Sequence, residues 1–80
     1  MNVSSIVVRT TPENLNTVMT EINSIELCEV HFHDPEGKIV VTIEGESVHD
    51  QVELMKRIQD LPFVLNANLM YAYSDQKQGS

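Results

Sequence analysis

The sequence predicts an α+β fold, with four strands in one antiparallel sheet, two helices packed on one face and the other face open. Three observations predict it. Short β-branched or alternating runs recur at four places, VSSIVVR, CEVHFHD, KIVVTIEG and FVLNANLMYAY. Two stretches between them carry apolar residues three and four apart, the spacing of an amphipathic helix. The resulting order is βαββαβ, and right-handed crossovers put both helices on the same face of the sheet. This is the ferredoxin-like sandwich.

Each element has its own signal. Val3 to Arg9 is the first strand. Thr11 followed by Pro12 starts a helix, since threonine caps and proline suits the first helical position. Leu15, Val18, Met19, Ile22 and Ile25 form its apolar stripe. In CEVHFHD, Cys28, Val30 and Phe32 alternate with Glu29, His31 and His33, as in a half-buried strand. Asp34-Pro35-Glu36-Gly37 is a turn, which makes the second and third strands a hairpin. In KIVVTIEG, Ile39, Val41 and Ile43 share one face, and Lys38, Val40, Thr42 and Glu44 the other. Ser47 with Asp50 resembles a capping box, and Val48, Val52, Met55 and Ile58, flanked by Leu54 and Leu61, give the second helical stripe. Pro62 ends that helix, and the fourth strand is expected from about Phe63 to Tyr73. One domain, residues 1–74, and a flexible polar tail, residues 75–80, complete the expected organisation.

Counting by two assigns the faces. Toward the helices go Ile6 and Val8; Cys28, Val30 and Phe32; Ile39, Val41 and Ile43; and Leu65, Ala67, Leu69 and Tyr71. The open face is left with Ser5, Val7 and Arg9; Glu29, His31 and His33; Val40, Thr42 and Glu44; and Asn66, Asn68 and Met70. Asparagine is depleted in strands, so Asn66 and Asn68 mark a face with a use for amides. An ordinary wet face of an antiparallel sheet would also carry such a mixture. As a docking platform, its aliphatic centre would cover part of a peptide while its amides hold polar groups and its acids attract a basic segment.

Charge and composition narrow the partners. Twelve acidic residues against five Lys and Arg give a net charge of −7. That disfavours nucleic acid and anionic membranes, which need a basic surface. No apolar run approaches the roughly 20 residues of a membrane span, and the N-terminus lacks the basic segment of a secretory signal, so a cytoplasmic protein is expected. A single cysteine, Cys28, excludes an internal disulfide. His31 and His33 could share a metal but lack a third ligand at an obvious spacing, so no metal is expected; exposed, pH-sensitive histidines are the simpler reading. No P-loop, nucleophile elbow or GxGxxG is present, so no enzyme activity is expected.

Four segments in register, SSIVVR, ELCEVH, GKIVVTIEGES and LPFVLNANLMY, resemble the NapD family along the whole chain. The resemblance implies a small cytoplasmic chaperone, without cofactor or catalysis, that binds the twin-arginine signal peptide of the periplasmic nitrate reductase catalytic subunit precursor. Binding would delay export until the precursor's own cofactors are inserted, the step known as Tat export proofreading. It also implies a helical peptide on the open sheet face. By position, the peptide-binding role is carried to Ser5, Val7, Val40, Thr42, Glu44, Asn66, Asn68 and Met70, with Glu29 and His31 as further candidates. The chain departs from the family pattern at Phe63, where a small residue, typically Gly, is usual, and at Ala72, where a polar residue, often His, is common. Two other readings share the fold: an amino-acid-sensing module, against which stands the lack of a glycine-rich first loop, and a homodimeric interaction domain using the open face.

Overall fold

The computed structural model describes residues 2–74, and the tail expected over 75–80 lies outside the described residues. The elements are β1 (Asn2–Arg9), α1 (Leu15–Asn23), β2 (Cys28–His33), β3 (Lys38–Gly45), α2 (Val48–Gln59) and β4 (Asn66–Ser74). A single antiparallel sheet has the order β2-β3-β1-β4. This is the ferredoxin-like arrangement expected from the order of the elements.

The core lies between the helices and one face of the sheet. Ile6, Val8, Ile39, Val41 and Ile43 from the central strands are buried with Val18 and Ile22 of α1 and Ile58 of α2. Burial of this apolar area is the main term holding the layers together. The hairpin turn is set by two devices. Asp34 accepts hydrogen bonds on Oδ1 from the backbone N–H groups of Glu36 (3.0 Å) and Lys38 (3.1 Å). Gly37 adopts φ +111°, and a Cβ there would sit 2.0 Å from the Thr10 carbonyl oxygen. Only glycine accommodates both.

Several helix expectations are corrected. Thr11 does not cap α1 with its side chain; a short 3-10 turn, Pro12–Asn14, comes first, and Asn14 Nδ2 donates instead to Thr11 Oγ1 at 2.9 Å. Ser47 does cap α2, its Oγ accepting from the Asp50 N–H at 3.1 Å. The α2 stripe is only partly used. Ile58 is buried and Leu54, Met55 and Leu61 pack against the core, but Val48 and Val52 are exposed. In the first half of α2 it is Gln51 that reaches the sheet, its Oε1 accepting from Ser4 Oγ, while Val48 and Val52 line an apolar cleft of about 170 Å³ with Met55, Leu69 and Ala72 among others.

The fourth strand starts later than expected, at Asn66 rather than Phe63. Phe63 lies in the preceding turn with φ +72°, the left-handed region that favours glycine. That conformation explains why a small residue suits this position. Its carbonyl accepts from Thr10 Oγ1 at 2.6 Å, which pins the turn to the end of β1. Leu65, expected in the core, is outside the strand and exposed.

Candidate functional site

The two outer strands each carry a register shift, and these shifts reshape the open face. On β2, Val30 pairs with Val41 but Phe32 pairs with Val40, leaving His31 as the extra residue. On β4, Tyr71 pairs with Ser5 but Leu69 pairs with Ile6, leaving Met70 extra. A bulge of one residue reverses the facing of everything beyond it.

The consequences correct the face assignment at both edges. Val40 lies on the open face, because its neighbours Ile39 and Val41 are buried in the core; Phe32 beside it is therefore on the open face, 54% exposed, and not in the core. His33 pairs with Ile39 and turns to the helix side, where it lines a shallow depression with Asn16, Met19 and Thr20. Tyr71, expected among the core residues, joins Ser5 on the open face and is exposed. Leu69 keeps its facing toward α2 but remains exposed at the rim of the cleft.

The open face is built in rows that run from β2 to β4. One row is Phe32, Val40, Val7 and Asn68. The next is Glu29, Thr42, Ser5 and Tyr71. Beyond it Glu44 pairs with Val3, and at the opposite end Lys38, Arg9 and Asn66 stand side by side. The face thus has an apolar row, a polar row, an acidic end and a basic end.

Of the candidates from the sequence, Ser5, Val7, Val40, Thr42, Glu29, Glu44, Asn66 and Asn68 are brought together on this face. Asn68 Nδ2 donates to Asn66 Oδ1 at 3.3 Å, so the two amides form a short polar ridge on β4. Met70 is exposed but stands in the bulge without a β1 counterpart. The His31 ring nitrogen Nε2 lies 2.9 Å from Thr42 Oγ1 and 3.7 Å from Glu29 Oε1. That contact ties the β2 bulge to the polar row. Phe32, Tyr71, Val3 and Lys38 were not among the site candidates. Lys38 had the right parity in its strand; Phe32 and Tyr71 did not, because each follows a bulge.

No cluster of three or more His, Cys, Asp or Glu among the described residues could hold a metal. Cys28 is buried on the core side, where burial pushes its thiol pKa up against the opposing pull of the Arg57 charge. No helix among the described residues is long and apolar enough to cross a membrane.

The family described as NapD protein matches residues 1–76. This chain belongs to the NapD family. Among curated NapD proteins, "Chaperone NapD" of Haemophilus influenzae is 29% identical over 77 residues, a match that covers 95% of this chain and 83% of that protein. The solution structure of the E. coli Tat proofreading chaperone protein NapD is similar over 98% of this chain and 82% of that one, with a TM-score of 0.83 and 28% identity. The NapD fold is thus present here from the first strand to the fourth.

Proposed function

We propose that this protein is a cytoplasmic chaperone, not an enzyme, that binds the twin-arginine signal peptide of the periplasmic nitrate reductase catalytic subunit precursor. By occupying that peptide it delays export until cofactor insertion is complete. The observation that carries the reading is the open face itself. An apolar row, Phe32–Val40–Val7, lies beside acids at Glu29 and Glu44, the combination that suits a peptide with arginines followed by an apolar stretch. Relatives named chaperone and Tat proofreading chaperone support it.

In this reading Val7, Val40 and Phe32 cover the apolar stretch. Ser5, Thr42, Asn66 and Asn68 supply hydrogen bonds, Met70 and Tyr71 adapt at the β4 edge, and Glu29, His31 and Glu44 meet the arginines. A carboxylate–guanidinium pair left in water contributes only about 0–1 kcal/mol, so these acids select the peptide mainly once it covers them.

Isothermal titration with the synthetic signal peptide tests the proposal. Saturable binding is expected, weakened by added salt and by replacing both arginines with glutamine. Absence of binding to the signal peptide would overturn it.

A further inference from the structure

His31 is the residue that the β2 bulge adds, and it has no Cα partner on β3. Its ring nevertheless reaches the polar row of the open face. Nε2 lies 2.9 Å from Thr42 Oγ1 and 3.7 Å from Glu29 Oε1. The three side chains meet because Glu29 pairs directly with Thr42 across the two strands.

The groups around the ring decide what its charge does. On its own strand Glu29 faces it, while His33 is turned to the helix side. From β3 it meets the Thr42 hydroxyl, and Glu44 lies further along that strand, in the same depression as Glu29 and Thr42. Toward α1 it borders a second depression, lined by Asn16, Met19, Thr20 and Asn23, none of which carries charge. Among the described residues, Glu29 is the one carboxylate within ion-pair distance of the ring.

Histidine changes its charge between about pH 5 and 8. In the neutral ring one nitrogen donates and the other accepts, and the Thr42 hydroxyl can meet Nε2 in either role. Glu29 then keeps its full charge for an incoming cation. In the protonated ring both nitrogens donate. Nε2–H is then held by Thr42 Oγ1, and a positive charge stands beside Glu29. A guanidinium approaching that carboxylate meets a like charge already in place.

We propose that His31 is a proton-operated switch on the arginine-binding corner of the open face. Neutral His31 leaves Glu29 to an arginine of the signal peptide; protonated His31 takes Glu29 and repels the arginine. The switch rests on the open face being the peptide site. It makes binding strongest above neutral pH and weaker as the pH falls through the histidine range. By reciprocity, bound peptide disfavours the protonated ring. The ring and Glu29 are both largely exposed, so the magnitude is that of charges in water: one unit charge about 4 Å from another changes binding roughly fivefold.

Isothermal titration of the full chain with the synthetic signal peptide, at about pH 5.5 and about pH 8, tests it. The parent should bind about fivefold more weakly at the lower pH. His31→Gln keeps a polar side chain but takes no proton, and its affinity should change less than about twofold between the two conditions. The double variant His33→Gln with His49→Gln should retain the parent's pH dependence, since His33 is turned to the helix side and His49 sits on α2 beside Glu53. The peptide with both arginines replaced by glutamine should also change less than about twofold. An affinity for the arginine peptide that does not change with pH, or a pH dependence that survives His31→Gln, would overturn the switch while leaving the site reading intact. Absence of binding at either pH would overturn the site reading and the switch with it. A second readout is the His31 ring proton in NMR, which should titrate at lower pH with the arginine peptide bound than in the free protein; an unchanged titration would also overturn the switch.

Discussion

Replacing Phe32 with alanine distinguishes the bulged β2 from an unbroken strand. In an unbroken strand, Phe32 would share the core face with Cys28 and Val30, and Phe→Ala would cost about 3–5 kcal/mol of stability. The register shift after Val30 instead places the ring on the open face, 54% exposed. Only the part of the ring already resting on the sheet is lost from the fold, so a stability loss of about 1 kcal/mol is expected. Peptide binding should suffer more. A phenylalanine buries on the order of 200 Å² when fully covered, and roughly half of that is still open here. Covering about 100 Å² at about 25 cal/mol per Å² gives a ceiling near 2.5 kcal/mol. Association never converts area fully, so about a tenfold to sixtyfold weakening is expected. Urea denaturation and isothermal titration on the same preparation give the two numbers. A large stability loss with unchanged affinity would refute the bulge and return Phe32 to the core.

Other consequences follow from particular groups. Gly37→Ala should destabilise by about 2–4 kcal/mol in urea denaturation, since the new Cβ meets the Thr10 carbonyl and the Thr10 N–H to Gly37 carbonyl bond of 2.8 Å must shift; a change within experimental error would contradict the turn geometry. The Asp34 carboxyl is held below its ordinary value of 3.8, chiefly by the backbone N–H of Lys38. A depressed carboxyl contributes stability above its unfolded value and loses it as pH falls through the folded value. The stability gap between the parent and Asp34→Asn should therefore be widest near neutral pH and close below 3.8; a gap independent of pH would contradict it. Cys28, buried and with its thiol pKa raised, should resist alkylation in the native protein and react in urea; rapid native labelling would contradict its placement.

Much of this was legible from the chain, for identifiable reasons. The helix stripes and strand alternation come from the two periods of backbone geometry, and they placed the fold and the centre of the open face, Ser5, Val7, Val40 and Thr42. Counting by two fails where a bulge inserts a residue, and neither His31 nor Met70 is a residue type that announces one. Both errors therefore fell on the outer strands and hid the two aromatics that wall the face. The late start of β4 came from Phe63 taking a left-handed conformation that its side chain does not advertise. The exposure of Val48 and Val52 is a matter of helix rotation; the stripe is present, but in its first half Gln51 takes the place against the sheet, bonded to Ser4.

The central claim is that the open sheet face receives the signal peptide. The most direct measurement is an NMR titration of isotope-labelled protein with the synthetic signal peptide, following every backbone amide. Saturable shifts centred on Val7, Phe32, Val40, Thr42, Asn66 and Asn68, with α1 and α2 largely still, are the expected result. Shifts concentrated on the helices or the α2 cleft, or none at saturating peptide, would contradict it.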